Sequence, residues 1–189
     1  MVGCTERSNK ELSESPFINK EYWENIERGY FYQAAMYYLS DTEQPLRFLE
    51  ESDQEGYYKV TKRVGNFDPL VNEDGRKQAL EQNVIVTLKP RQVIVISNDV
   101  LNKDSKYEYV QIAPVLGLYR KNTLDNWYSE LKNDKLPGFA FIQRGLYGIE
   151  VDLTQISTIH KSLLLQKQSK VAPERMTFID SQILDVLDL

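Results

Sequence analysis

This chain of 189 residues has one cysteine and one histidine. Cys4 cannot form an internal disulfide, and a single thiol is typical of a protein from a reducing compartment. The same counts exclude the Cys and His clusters of zinc sites, and no paired carboxylates lie within a glycine-rich turn of the kind that binds calcium. We therefore expect neither a metal site nor a cofactor.

Other common sites are also missing from the sequence. The nine glycines are scattered and match neither GxxxxGK nor GxGxxG, so a phosphate-cradling loop is not expected. A Ser-His-Asp triad could be assembled around His160, but no nucleophile elbow accompanies it. No apolar run approaches the ~18 residues that cross a bilayer. We expect no membrane partner and a cytoplasmic location.

The net charge of −5 is unevenly distributed. Residues 1–90 carry 16 acidic and 11 basic residues, whereas residues 91–189 carry 12 of each. This balance excludes nucleic-acid binding dominated by a strongly basic patch. A short single strand could still bind through aromatic stacking and a few local cations. The segment from Asp41 to Glu55 has six acids against one arginine, which is typical of a solvated loop.

The length suits one domain, with enough chain to bury a sizeable core. Residues 1–20 are predicted to be a disordered tail, because they have few apolar residues and no periodicity. We expect residues 21–189 to form a single domain with a long polar insertion at 40–83. Within the insertion, a short helix is predicted around Pro45–Glu50 and a strand at Tyr57–Lys62.

The densest apolar run is Val93-Ile94-Val95-Ile96, which is bounded by turn formers and predicts a buried strand. Arg91 lies at the start of this run. Because an unpaired buried cation is costly, Arg91 must find a partner or water, and a rigid strand then holds it in a defined place. An arginine that merely ends a strand at the surface is the alternative, and the spacing leaves it open.

Further strands are predicted between turn signals, and their number favours a small barrel or sandwich. The run VIVTL before Lys89-Pro90 and the run VIVIS after it predict two segments separated by a bend. The remaining strand predictions are Tyr107–Ala113, Phe139–Arg144 and Ile149–Ile159. The run Tyr30 to Tyr38 fits either a helix or a strand, because Ala34 and Ala35 favour a helix and five aromatic residues favour a strand. At the C-terminus the period changes to that of a helix, and the capping-box spacing of Thr177 and Asp180 predicts its start. The apolar face of this helix consists of Met176, Ile179, Ile183 and Leu187.

Three segments together resemble the PemK/MazF toxin family. They are the strand Arg91-Gln92-Val93-Ile94-Val95-Ile96-Ser97 with Asn102 after it, the strand end Pro114-Val115-Leu116, and the stretch from Gly148 to Ile159. The resemblance implies a mainly β fold with peripheral helices, an SH3-like small β-barrel with a C-terminal helix. It also implies a toxin that binds single-stranded RNA and cleaves it without metal to 2′,3′-cyclic phosphate ends.

The resemblance assigns roles to individual residues. Arg91 is expected to stabilise the charged phosphorane, since a guanidinium grips phosphate oxygens bidentately and stays charged. His160 is expected to be an acid or base, with a structural hydrogen-bonding role as the open alternative. The expected RNA-binding residues are Asn102, Gln155 and Lys161.

Two positions depart from the family pattern, and they keep a second function open. Leu116 stands where the family has a Thr or Ser hydroxyl, and Leu164 stands where a later Arg is expected. Loss of one transition-state donor typically costs on the order of 10²–10³ in rate. The alternative is therefore a catalytically degenerate barrel that acts as a protein-binding or regulatory module.

The family resemblance also implies partners. An antitoxin protein is expected, together with a homodimer formed through the barrel. The 12 Tyr, the 7 Phe and the run Leu163-Leu164-Leu165 agree with an apolar self-complementary patch. The alternative is a monomer in which the N-terminal region covers that surface.

Overall fold

The computed structural model of the chain describes residues 17–37, 46–66 and 68–189. Most of the expected tail, including Cys4, and residues 40–45 and 67 of the expected insertion lie outside the described residues, as do residues 38 and 39. The chain divides into two compact units, one formed by Met1–Ala35 with Pro90–Leu189 and the other by Met36–Lys89. The expectation of a single domain at 21–189 with an insertion at 40–83 stays a prediction.

Strands dominate the part of the chain that the structure describes. They are β1 (Tyr30–Tyr37), β2 (Leu46–Glu51), β3 (Tyr58–Arg63), β4 (Leu70–Val71), β5 (Lys77–Gln78), β6 (Leu88–Val95), β7 (Tyr109–Gly117), β8 (Phe139–Ile142), β9 (Ile149–Asp152), β10 (Ser157–His160) and β11 (Leu164–Lys170). The α-helices are α1 (Asp99–Lys103), α2 (Asn126–Lys132) and α3 (Pro173–Leu187), and short 3₁₀ turns cover Lys20–Asn25, Arg120–Leu124, Leu153–Gln155 and Lys161–Leu163.

The larger unit is built on one sheet with the strand order β11-β1-β6-β7-β9-β8, and β10 also pairs with β7. Strand β7 pairs antiparallel with β6 along one edge. Along its other edge it pairs first with β10 and then with β9, which the turn Leu153–Gln155 separates. The predicted mainly β fold with peripheral helices and a C-terminal helix is confirmed, whereas closure into a small barrel stays a prediction.

Both faces of this sheet are covered, which explains why its central strands have long apolar runs. On one face Ile94, Ala113 and Val151 belong to the main core, together with Ile179 of α3. On the other face, near β8, a smaller cluster joins Phe141 to residues of and around α2. The cluster residues that α2 contributes are Trp127, Tyr128 and Leu131.

The predicted helix at Pro45–Glu50 is wrong, because Leu46–Glu51 forms strand β2 and pairs in full register with β3. Cross-strand pairing outweighs the local preference of a short charged segment. The expected bend at Lys89-Pro90 is also wrong, since β6 runs through both residues from Leu88. The strand predicted at Tyr57–Lys62 is confirmed as β3, shifted by one residue.

The C-terminal helix is confirmed, but it begins at Pro173 rather than at Thr177. Proline is favoured in the first turn because its missing N–H has no intrahelical acceptor there. The Thr177 hydroxyl instead donates to the Pro173 carbonyl within the helix, at 3.2 Å. No α-helix in the described residues is both long and apolar enough to cross a membrane.

The smaller unit contains two hairpins. Strand β2 pairs with β3 from Leu46↔Arg63 to Glu51↔Tyr58, and β4 pairs with β5. Phe48 is buried, and the Arg63 guanidinium lies 3.7 Å from its ring centroid. A bridge between Phe48 and Val84 adds a third segment to the edge of β2.

Gly148 provides a test of the close packing between β8 and β9. Its φ is +82°, and a Cβ there would lie 2.4 Å from Phe141 Cε2 and 3.1 Å from the Ile142 carbonyl oxygen. Gly145 has a similar φ of +65° but nothing within 4 Å, so it is a matched control. We expect Gly148→Ala to destabilise the protein by about 3 kcal/mol and Gly145→Ala by about 1 kcal/mol, as measured by urea denaturation. Equal losses would contradict the packing described here.

Candidate functional site

Arg91 of β6, Leu116 of β7 and Glu150 of β9 lie on three neighbouring strands of the sheet. The backbone pairing of β6 with β7 ends at Val93↔Pro114, and extending that register by two residues puts Leu116 across from Arg91. On the other side of β7, Leu116 pairs directly with Glu150 of β9. Because residues opposite one another share a face of a sheet, Leu116 and Glu150 lie on the same face, and the extended register assigns Arg91 to that face as well. The two outer positions are separated by two strand spacings, or about 10 Å.

Arg91 and Leu116 are exposed to solvent, whereas the central part of the sheet is buried. Arg91 is exposed, and the Leu116 side chain is 44% exposed. The buried run of β6 starts only at Val93, two residues after Arg91. The first half of the strand, from Leu88 to Arg91, is exposed and extends beyond the core, which is why it can carry the charged residues Lys89 and Arg91.

Glu150 has an altered acidity. Burial raises the pKa of its carboxyl above the usual value, and the negative charge of Asp152 raises it further. The neighbour of Glu150 on β8 is apolar, because Glu150 pairs directly with Phe141. A half-buried carboxyl of this kind is better suited to exchange protons near neutral pH than an ordinary glutamate.

Gln155 lies in the turn after β9 and contacts Asp152. Its amide Nε2 donates to Asp152 Oδ2 at 2.6 Å. The backbone N–H and the hydroxyl of Thr154 donate to Oδ1 of the same carboxylate, at 3.0 and 2.6 Å. Gln155 is exposed, but its amide holds the carboxylate that caps this turn. Its role in RNA binding stays a prediction.

His160 lies at the end of β10 and caps the following 3₁₀ turn. Its Nδ1 accepts the backbone N–H of Ser162 at 3.2 Å and lies 2.6 Å from the Ser162 hydroxyl. The imidazole also packs edge-on against Trp23 and Tyr109, with ring centroids 5.5 Å away in both cases.

Asn102 and Lys161 are fully buried and bonded to backbone atoms of the same chain. The Asn102 amide donates to the Ser97 carbonyl at 2.8 Å, and the Ser97 hydroxyl donates to Asn102 Oδ1 at 2.5 Å. The Lys161 ammonium donates to the carbonyls of Leu101 and Asp104, both at 2.9 Å, at the end of α1. Burial lowers the pKa of Lys161 from its ordinary value. This geometry does not favour their predicted roles in RNA binding.

The structure does not bring the two predicted catalytic residues together. His160 pairs with Tyr109 at the start of β7, whereas Arg91 aligns with Leu116 near its end. Seven residues of strand span about 23 Å. Asn102 and Lys161 lie at the His160 end, so Arg91 is separated from most of the residues that the resemblance grouped with it.

The His160 end contains a pocket of about 520 Å³. Phe17, Trp23 and Leu163 give it an apolar floor, and Lys20 and Glu108, 3.6 Å apart, stand at its rim. In the described residues, no group of three His, Cys, Asp or Glu side chains is arranged to hold a metal ion.

Glu150 was not identified from the sequence as a site residue. The pattern Glu150-Val151-Asp152 predicts that both acids lie on the same face of a strand, and this was the available signal. The pattern does not predict which strand lies beside these two acids. The pairing of β9 with β7 supplies that information.

No family model and no curated protein matches the chain. Among solved structures, it is similar to an endoribonuclease in complex with its cognate antitoxin from a mycobacterial species, with a TM-score of 0.45 and 14% identity, over 87% of this chain and 96% of that one. It is also similar to a mycobacterial endoribonuclease, with a TM-score of 0.40 and 19% identity, over 53% of this chain and 82% of that one.

The raised pKa of Glu150 predicts how Glu150→Gln changes stability with pH. Above the raised pKa the folded protein must hold a half-buried charge, and below the usual value of 4.5 the carboxyl is neutral in both states. We expect the substitution to raise Tm at pH 7 and to have little effect at about pH 4. Glu27→Gln is the control of opposite sign, because Lys167 and Lys103 lower the pKa of Glu27. Glu27→Gln should lower Tm at neutral pH, and this decrease should become smaller as the pH falls.

Lys161→Met tests the structural role of the buried lysine. The substitution leaves the Leu101 and Asp104 carbonyls without their donor, and we expect a loss of about 2–4 kcal/mol in urea denaturation. Lys20→Met is the matched control, because Lys20 also lies near Trp23 but its side chain is 61% exposed. Its effect should stay within about 0.5 kcal/mol. Unchanged stability of Lys161→Met would contradict the assignment.

Proposed function

We propose that this chain binds single-stranded RNA and cleaves it without a metal ion, at the surface formed by Arg91, Leu116 and Glu150. The observation that supports the proposal is that an exposed arginine on β6 and a carboxyl of raised pKa on β9 belong to the two strands that flank β7. A phosphodiester fits between such groups. The order of the motifs that resemble the PemK/MazF family supports the same conclusion.

In the proposed reaction the ribose 2′-oxygen attacks the adjacent phosphorus. The O–P bond that forms closes a 2′,3′-cyclic phosphate, and the bond to the 5′-oxygen of the next nucleotide breaks. Arg91 binds the phosphate oxygens and stabilises the additional negative charge of the phosphorane. Its guanidinium stays charged throughout, so it is a clamp and not the base.

Glu150 is the proposed proton-transferring group. As a carboxylate it accepts the 2′-hydroxyl proton, and as a carboxylic acid it can return a proton to the departing 5′-oxygen. Both forms are accessible near neutral pH only if the pKa is raised, which is the direction that burial gives here. Leu116 lies between the two charged groups and offers apolar contact to a base or a ribose, in place of the hydroxyl that the family pattern has.

The resemblance also supplies the proposed partners. We propose that an antitoxin protein covers the Arg91 surface and thereby blocks the access of RNA, and that the chain forms a homodimer through its larger unit in the cytoplasm. An antitoxin that offers a carboxylate to Arg91 would compete with RNA, because the two ligands would then use the same guanidinium.

A protein-binding module without catalysis is the second candidate function. It is favoured by Leu116 at the position where a hydroxyl is expected and by the internal bonds of Asn102 and Lys161. In that case Arg91 would bind a carboxylate of the partner rather than a phosphate. The two candidates differ in whether RNA is cut at all.

Arg91→Ala should lower RNA cleavage by about 10²–10³, because one charged group that stabilises the transition state is removed. Arg91→Lys should recover part of the activity, since lysine supplies charge without the bidentate fork. The assay is cleavage of mixed RNA in EDTA, with mass spectrometry of the 2′,3′-cyclic phosphate ends. Arg76→Ala is the matched control, because Arg76 is an exposed arginine in the smaller unit.

Glu150→Gln separates binding from chemistry in the same assay. It should retain RNA affinity and lose cleavage, while 2′-O-methyl RNA should bind and remain intact with the unaltered protein. Intact RNA at high protein concentration would exclude the nuclease proposal and leave the protein-binding module. Unchanged cleavage by Arg91→Ala would show that the reaction takes place at another site.

A further inference from the structure

The β2–β3 hairpin of the smaller unit has one covered face and one open face. Phe48 is 1% exposed on the covered face, where Arg63 lies over its ring and bonds to Glu50 at 2.7 Å. Side chains alternate along a strand, so the neighbours of Phe48 point to the opposite side. This opposite side, which we call the outer face, consists of Arg47, Leu49, Glu51, Tyr58, Val60 and Lys62.

The outer face has three rows of directly paired residues. Arg47 pairs with Lys62, Leu49 pairs with Val60, and Glu51 pairs with Tyr58. The middle row is apolar and exposed, with Leu49 at 38% and Val60 at 57%. One end of the face is therefore positive, the centre is apolar, and the end nearest the turn is negative.

This arrangement is unfavourable for a face that meets only water. Like charges directly opposite one another destabilise a strand pair, and in the described ranges neither Arg47 nor Lys62 takes part in an ion pair. The middle row adds an exposed apolar pair beside them, with Tyr58 at 63% exposure in the next row. A binding partner of suitable charge would relieve both features.

We propose that the outer face binds the outer face of a second copy of this chain. The two hairpins pack face to face about a two-fold axis that runs along the Leu49–Val60 row. This operation places Arg47 of each copy against Glu51 of the other, and Lys62 against the Tyr58 ring or hydroxyl. The Leu49 and Val60 side chains meet their own counterparts at the centre, as an isologous interface requires.

A third segment widens the face on the β2 side. Leu49 donates its backbone N–H to the Asn83 carbonyl at 2.8 Å, and Ile85 donates to the Arg47 carbonyl at 2.8 Å. Asn83 thus extends the middle row and Ile85 extends the positive row. With these two residues the patch has eight residues, fewer than the roughly 20–30 a side of a standard interface, so we expect a dissociation constant in the micromolar range or weaker.

The distribution of charge favours a second copy over a nucleic acid. A phosphate backbone would be attracted to Arg47 and Lys62 but repelled at the turn end, where Glu51, Asp53 and Glu55 are exposed. A partner with negative charge at one end and positive charge at the other matches the whole face. The chain itself is such a partner. The inference does not depend on RNA cleavage or on dimerisation through the larger unit.

The test is a charge swap measured by analytical ultracentrifugation from micromolar to submillimolar concentration. The measured mass of the unaltered chain should increase with concentration. The starting mass is 22.0 kDa if the chain is a monomer at low concentration, or that of the dimer if the larger unit already forms one. Arg47→Glu alone and Glu51→Lys alone should each abolish that increase, because each places like charges against one another. An equimolar mixture of the two variants should restore it, since both contacts between them are attractive.

The double variant Arg47→Glu with Glu51→Lys should also restore the association, and it controls for folding because it contains both substitutions. A mass that does not change with concentration in the unaltered chain would overturn the proposal. An increase that survives the single substitutions would overturn it in favour of another interface, such as the edge of β3. Loss of RNA binding in Arg47→Glu with unchanged association would assign the face to nucleic acid instead.

Discussion

The pairing of β7 along both of its edges determines the layout of the larger unit. Its backbone bonds to β6 on one side and to β10 and β9 in succession on the other. In an antiparallel sheet a shift of one residue moves every side chain to the other face, and the apolar residues of both cores prevent such a shift. Every site on this sheet therefore depends on one register.

The pairing of β7 explains why the strands that contain Arg91 and Glu150 flank the same strand, although 58 residues lie between these two positions in the sequence. It also explains why His160 does not join them. After the turn Leu153–Gln155 the chain pairs with the other half of the β7 edge, as strand β10. His160 belongs to β10 and therefore lies at the far end of β7. The same turn requires a cap, which Asp152 supplies with the help of Gln155.

The alternation of apolar residues predicted the strands and the final helix, because the period of a buried face is a local property. It did not predict neighbours across the sheet, which depend on contacts between distant segments. The predicted RNA-binding residues Asn102 and Lys161 do not lie beside Arg91 for a related reason. Asn102 and Lys161 satisfy backbone atoms around α1, a helix too short to leave a clear signal in the sequence. In sequence alone, a polar residue that caps a backbone is indistinguishable from one that binds a ligand.

The smaller unit follows a different logic, since its rows arise from one hairpin whose strands are close in sequence. A two-stranded ribbon is marginally stable by itself, so the covered Phe48 and Arg63 contribute strongly to it. The like-charged row on the other face opposes that stability by about 0.2–1 kcal/mol. A partner that neutralises this row stabilises the ribbon as well as the complex, because binding to the folded state alone shifts the folding equilibrium. Association and ribbon stability are thereby coupled through Arg47 and Lys62, whereas the surface around Arg91 is specified by the distant pairing of β7.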